Sequence, residues 1–365
     1  MATNFKKITA TLTTFLVQED TYNTNNLDFK IRRVPESFST FVIDFKAFFG
    51  VRPQHVSRRF SISLSDLSYQ PKIYNPRADW AVTAAFTSFE ALQASTLDSV
   101  QRFATIGTGS GTDAVAALDV FPRLRSIVMT DLHDEVVDKA QINLMSATEK
   151  ADGRVRTVAR DATGLSGHSL VPLKGQVPFD LIYENLPNIP LPDDADLLDG
   201  QTSSTYFDCS DVSGVVPSFV SKALLDLHYV CLLQARTFDL LTETGVVLSS
   251  MGGRVPIDTM LQLADAAGFT GRILFMSWKV QSEPDSVIEG YATQQEKGLG
   301  PFYFYRVSTL RHVFGHLTGA EAGLRALEIE NELLPDRLDA MTALKAHKQG
   351  IDIGHPVVVM ASTRQ

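Results

Sequence analysis

The sequence predicts an α/β fold, a mostly parallel sheet covered by helices on both faces. Two observations carry this. Short apolar runs, among them Phe103-Ala-Thr-Ile106, Ser126-Ile-Val-Met-Thr130 and Phe179-Asp-Leu-Ile-Tyr183, recur with helical patterns between them. After the first run, glycine occupies every second position, at Gly107, Gly109 and Gly111. Alternation of strands and helices implies right-handed crossovers, and ligands of such sheets bind outside the carboxyl ends of the strands.

The elements follow in order from residue 75. Ala81 to Leu97 reads as an amphipathic helix, and Arg102 to Ile106 as the first buried strand of the sheet. Thr112 to about Phe121 reads as a helix that Pro122 ends. Ser126–Thr130 is the second strand, closed by Asp131, and Asp134–Leu144 is a helix with acidic residues in its first turn. Arg154–Ala159 is expected as the third strand, closed by Asp161, and Phe179–Tyr183 as the fourth, closed by Glu184 and Asn185. A long acidic loop over 189–211 precedes a helix from Pro217 to Leu241. Gly245–Ser250, the helix Ile257–Ala267 and Arg272–Trp278 complete the pattern. Phe302–Val307 and Pro356–Ala361 are two candidates for the last strand, with a helical insertion between them at about 310–350.

Residues 1–74 differ in character. Ile8–Phe15, Leu27–Ile31, Phe38–Phe45 and Phe60–Leu64 alternate or are rich in β-branched residues. The expected organisation is therefore a β-containing N-terminal region over 1–74 and the main domain over 75–365. The N-terminal region reads as a module that gathers substrate or makes a homodimer, or, more plainly, as an extension that covers one sheet edge.

Composition excludes several classes. Hydrophobic residues make up 44% and charged residues 21% of the 365, enough for a sizeable core. The net charge of −9 and the lack of any Lys/Arg run disfavour nucleic acid as the partner. Cys209 and Cys231 form neither a ligand spacing nor a disulfide framework, and the eight histidines show no paired spacing, so no metal is expected. The N-terminus lacks an apolar signal core and no run of 18 apolar residues occurs, which points to a soluble cytoplasmic protein without a membrane partner.

The glycine turn is the chemical centre of the sequence. Glycine permits φ > 0 and close approach of backbone N–H groups to a ligand. Asp131, 24 positions after Gly107, ends the next strand, where a carboxylate can accept both hydroxyls of a ribose; its plain alternative is a helix cap. Asp161 is placed to accept an adenine amino group while Ala162 packs the ring. These three elements resemble class I S-adenosylmethionine (SAM) methyltransferases over roughly residues 75–280. The resemblance implies a Rossmann-like seven-stranded domain and S-adenosyl-L-methionine as cofactor. Its binding residues would be Gly107, Thr108, Gly109, Gly111, Asp131, Leu132, Asp161, Ala162 and Asn185.

The end of the fourth strand narrows the expectation. Glu184-Asn-Leu-Pro-Asn188 resembles the Asn-Pro-Pro-Tyr motif of amino-group methyltransferases, such as the release-factor glutamine methyltransferases. Asn75-Pro-Arg-Ala-Asp79 and Ala140-Gln-Ile-Asn143 resemble two further stretches of that branch. An Asn side-chain carbonyl and the following backbone carbonyl can accept both N–H bonds of a planar nitrogen, turning its lone pair toward the methyl donor. Proline fixes φ at such a turn. Asn185, Pro187 and Asn188 are the catalytic candidates. Leu186 replaces a proline and Asn188 the aromatic residue that would stack on a planar substrate. Asn188 both donates and accepts, which suits a small polar substrate.

The expected function is N-methylation of a small polar molecule in a biosynthetic pathway. A protein-amide methyltransferase and a non-catalytic SAM-fold subunit are the alternatives, and O-methylation stays open. Asp193, Asp194, Asp196, Asp199, Asp208 and Asp211 could close as a lid over an amine, or form a solvated surface. Trp278 and Tyr291 could line the substrate pocket, or belong to the core.

Overall fold

The computed structural model describes residues 40–96, 100–191, 206–207 and 216–365. The strand expectations at Ile8–Phe15 and Leu27–Ile31, and the six aspartates of the 189–211 loop, lie outside these residues. Ser39–Gln365 forms one compact unit.

The chain enters through strand β1 (Thr40–Asp44), helix α1 (Phe45–Phe49) and strand β2 (Arg59–Ser63), with β1 and β2 antiparallel. A 3-10 turn (Pro76–Ala78) and a π-helical segment (Ala81–Phe86) lead into α2 (Thr87–Thr96). Then come β3 (Arg102–Ile106), α3 (Thr112–Val120), β4 (Ser126–Asp131), α4 (Asp134–Ala147), α5 (Gly153–Arg160) and β5 (Thr163–Ser166). β6 (Phe179–Glu184) is followed by a short pair, β7 (Ile189–Pro190) and β8 (Tyr206–Phe207). The second half holds α6 (Ser218–Lys222), α7 (Asp226–Thr237), β9 (Leu241–Gly252), α8 (Ile257–Ala266), β10 (Phe269–Val280) and α9 (Pro284–Glu296). β11 (Tyr303–Arg306) leads through α10 (Val307–Phe314), α11 (Gly319–Leu324), α12 (Ala326–Leu333), β12 (Leu338–Asp339) and α13 (Ala340–Lys348) to β13 (Ile353–Arg364).

The main sheet runs β12-β11-β13-β9-β6-β3-β4-β5, and β10 pairs with the other edge of β13. β5, β4, β3, β6 and β9 are mutually parallel; β13 runs antiparallel to both β9 and β10. This is the Rossmann-like α/β class that the sequence implies. The chain works outward from β3 to β5, then returns to β6 on the other side of β3. That reversal opens a crevice at the carboxyl ends of β3 and β6.

Period-two alternation divides the sheet's side chains between two apolar layers. Phe103, Ile127, Met129, Leu181, Val357 and Val359 pack with α2–α5. Ala104, Ile106, Val128, Ile182, Val247, Val358 and Met360 pack with the helices of the second half. Ile43, Phe45, Phe60 and Ile62 join the first layer, so residues 40–63 share a core with α2 and α3 across the boundary expected at 74/75.

Two elements correct the sequence reading. Arg154–Ala159 is not a strand but most of helix α5: Val155, Val158 and Ala159 are its buried stripe at helical spacing, and Asp152 caps it by accepting the Val155 N–H at 2.9 Å. The third parallel strand is the shorter β5, four residues on. The helix expected over Pro217–Leu241 is two helices, because Leu224 turns left-handed at φ 54° between α6 and α7, and Leu241 already belongs to β9. The insertion expected at 310–350 comprises α10–α13, and β13 is the strand that completes the sheet.

Candidate functional site

A cavity of about 210 Å³ opens at the crevice between β3 and β6. Gly107, Thr108 and Gly109 line it from the β3 turn, Asp131 and Leu132 from the end of β4, and Asn185, Pro187 and Asn188 from the end of β6. These residues come from three separate strand ends, which the parallel register brings level.

The turn after β3 is built from backbone conformation. Gly107, Gly109 and Gly111 have φ of 68°, 53° and 76°, in the left-handed region open to glycine. A Cβ on Gly107 would stand 3.5 Å from the Asn185 carbonyl oxygen, so the two turns nearly touch. Gly111 does not line the cavity. A Cβ there would stand 3.0 Å from the carbonyl oxygen of Ala140, so this glycine lets α3 start hard against α4.

Asp131 locks the turn from outside. Its carboxylate accepts the N–H of Gly109 at 2.9 Å and of Leu132 at 2.8 Å. Burial raises its pKa, and these backbone bonds oppose the rise. The carboxylate lines the cavity and has acceptor capacity beyond these bonds. A ribose-like diol fits that donor set, and the glycine backbone leaves room beside it.

Asp161 and Ala162 lie elsewhere. Asp161 caps the end of α5 on the surface and pairs with Arg160 at 2.8 Å; Ala162 is buried, and its carbonyl accepts from Gln141. Both were expected at a strand end that is in fact a helix end. Gly167, His168 and Ser169, which follow β5, occupy the corresponding wall of the cavity. Asn188 is partly committed: its side-chain N–H donates to the Leu224 carbonyl at 2.9 Å, holding the β6 turn against α6. Tyr291 lines the cavity and Trp278 does not; Trp278 lies under the Arg77 guanidinium, 4.4 Å from the ring centroid.

The two remaining family-like stretches brace this centre. Asn143 is fully buried in α4, accepts the Ser63 N–H at 2.7 Å and donates to the carbonyls of Ser63 and Ser110. It thus ties β2 to the glycine turn. Asp79, also buried, accepts the N–H groups of Lys72 and Ala81 and lines the cavity. Burial raises its pKa.

Several site residues escaped sequence reasoning. Asp113, in the first turn of α3, is buried beneath the glycine turn; it accepts from Thr105, from Thr108 at 3.1 Å and from the Ala114 N–H at 2.8 Å. Desolvation lifts its pKa to about 6. Its signal was an acid two residues after the last glycine of the run. Glu184, immediately before Asn185, is fully buried and lies 3.1 Å from Nδ1 of the equally buried His228 of α7. Arg254, from the turn after β9, also lines the cavity. Among the described residues no cluster of side chains could hold a metal ion, and no helix is long and apolar enough to cross a membrane.

No family model and no curated protein matches the chain. Solved structures resemble it distantly. A precorrin-6y C5,15-methyltransferase from Geobacter metallireducens is 11% identical, with 83% of this chain and 95% of that one covered, at a TM-score of 0.35. A ribosomal protein L11 methylase from Lactobacillus delbrueckii subsp. bulgaricus is 18% identical, covering 61% and 92%, at 0.34. A putative methyltransferase complexed with SAH is 10% identical, covering 68% and 52%, at 0.37. At these identities and scores the likenesses say nothing about the reaction of this chain.

Proposed function

We propose that the protein is a SAM-dependent methyltransferase acting on a nitrogen of a small polar molecule. The observation that carries this is the convergence of the glycine turn, the Asp131 carboxylate and the Asn185–Pro187 turn on one cavity. In this reading Asp131 holds the ribose hydroxyls, and the backbone of Gly107–Gly109 passes close to the rest of the cofactor. When bound, SAM would supply a sulfonium methyl group: the substrate nitrogen's lone pair would form the new carbon–nitrogen bond as the carbon–sulfur bond breaks, and the N–H proton would pass to solvent. Asn185 accepts the N–H bonds of the substrate and orients its lone pair; Pro187 stiffens the turn that presents Asn185. Catalysis of this kind is positioning and electrostatics.

A small substrate in the cytoplasm fits the acidic net charge better than a nucleic acid does. Calorimetry with SAM, S-adenosylhomocysteine and NAD tests the cofactor: the first two should bind and NAD should not. Mass spectrometry of amines, amides and guanidines incubated with SAM should then find a gain of one methyl on nitrogen. Binding of NAD in preference to SAM, or a gain on oxygen or carbon, would overturn the reading.

A further inference from the structure

The cavity wall formed by the turn after β9 contains a buried cation. Arg254 lies two residues after β9, is 5% exposed and lines the cavity. Its backbone is pinned: its N–H donates to the Gly252 carbonyl at 2.7 Å, and its carbonyl accepts from Tyr303 at 2.8 Å. A Cβ on Gly252 would collide with Arg254 Nη1, so glycine at the strand end gives the side chain its path. The guanidinium stacks on Tyr291, 4.8 Å from the ring centroid, and near Phe304 at 5.4 Å. Nη2 donates to Gln281 Oε1 at 2.7 Å, and Gln281 is held in turn by its bond to the Ser282 carbonyl.

The guanidinium is held in place but its charge is not balanced. Its Nε has no hydrogen-bond partner. Among the described residues no carboxylate pairs with it, whereas Arg337 and Arg364 each hold one. The four acids that line the same cavity are engaged elsewhere: Asp79 by two backbone N–H groups, Glu283 by Lys72 at 2.8 Å, and Asp113 and Asp131 by the glycine turn. A desolvated, unpaired guanidinium is costly. Its cost is recovered when an anion enters.

We propose that Arg254 anchors a carboxylate of the methyl-accepting molecule, so that the substrate is a small amino-bearing carboxylate held by its anion at Arg254 and by its nitrogen at Asn185. The nitrogen half rests on the methyltransferase reading; the carboxylate subsite stands on the cavity alone. The planar fork of arginine matches a carboxylate's two oxygens. Charge decides against a phosphate dianion. Lys279 does not line the cavity: its ammonium is held over the Trp80 ring at 4.7 Å and donates to Ser282. Asp79 and Glu283 on the same walls would repel a dianion about twice as strongly as a monoanion.

The test uses the full chain and a set of amino acids, each matched with its carboxamide and its aminophosphonate. Calorimetry in the presence of saturating S-adenosylhomocysteine should find an acid that binds at least about tenfold more tightly than its carboxamide and its phosphonate. Arg254→Gln should make acid and carboxamide equal, and Arg254→Lys should keep part of the preference, while both bind S-adenosylhomocysteine as the wild type does. Acid and carboxamide binding alike, a tighter phosphonate, no acid bound at all, or an undiminished preference in Arg254→Gln would each overturn the proposal. Should Arg254→Gln lose its folded transition, Arg254→Lys decides, since an unchanged preference there overturns it as well. Acid preference without S-adenosylhomocysteine binding would sink the methyltransferase reading and leave the subsite; the reverse result would do the opposite.

Discussion

The carboxylate of Asp131 accepts the backbone N–H of Gly109 at 2.9 Å, fastening the end of β4 to the turn that follows β3. One side chain thereby fixes the shape of the turn and brings acceptor capacity to the cavity wall. The two roles are separable in experiment.

Asp131→Ala removes both. Charge-assisted hydrogen bonds contribute about 1.5–3 kcal/mol each. SAM affinity measured by calorimetry should fall by at least that much, and the variant should also unfold at lower temperature. Asp131→Asn keeps an acceptor for one of the two N–H groups, Gly109 or Leu132, so it should recover part of the stability but little of the affinity. Equal affinity in wild type and Asp131→Ala would remove Asp131 from the binding site.

Asn185 is expected from the family resemblance to touch the cofactor as well, but in the proposed mechanism its side chain acts on the substrate. Asn185→Ala should therefore lower turnover by about 10²–10³, the usual loss for one positioned polar group, with SAM affinity nearly unchanged. A variant that retains full turnover would end the amino-orienting mechanism. Asn188→Ala should behave differently. Asn188 ties the β6 turn to Leu224, so its loss should cost stability as well as rate.

Gly111 is a packing glycine. Its φ of 76° and the Ala140 carbonyl oxygen, 3.0 Å from where a Cβ would stand, both oppose any side chain. Gly111→Ala should destabilise the fold by about 1–3 kcal/mol in denaturant titration. An unchanged midpoint would show that α3 and α4 can separate freely at this point.

The strands that face helices on both sides were legible in the sequence. Phe103–Ile106, Ile127–Thr130 and Leu181–Tyr183 are continuous buried runs, and Gly107, Asp131 and Asn185 just beyond them line the cavity. β5 was not, because it has four residues, none fully buried, and so carries no pattern. The neighbouring Arg154–Ala159 offered Val155 and Val158, whose three-residue interval is helical, among arginines that suggested alternation. The break at Leu224 carried no glycine or proline to announce it. The Arg254 wall of the cavity was invisible for another reason. Asp79, Arg254, Gln281 and Tyr291 are scattered over more than half of the chain, and only the fold gathers them: Arg254 and Gln281 from beyond β9 and β10, Asp79 from before the π-helical segment and Tyr291 from α9.

Asp113 gives the fold a specific pH dependence. Burial beneath the glycine turn lifts its pKa from 3.8 to about 6, against the opposing bonds from Thr105, Ala114 and Thr108. The folded protein therefore holds this proton between about pH 4 and pH 6, where the unfolded chain has released it. The unfolded state binds fewer protons in that window, so stability falls as pH rises through it. The contribution is fully present below about pH 4 and lost above about pH 6. A shift of about two units corresponds to roughly 3 kcal/mol. Asp113→Asn keeps the shape of the side chain and cannot ionise. The difference in unfolding free energy between this variant and the wild type should swing by that amount in the variant's favour from pH 4 to pH 7, and then level off. All other titrating groups are common to both proteins and cancel. Denaturant titrations at four or five pH values would measure the swing, and parallel profiles would show that Asp113 ionises freely in the folded chain.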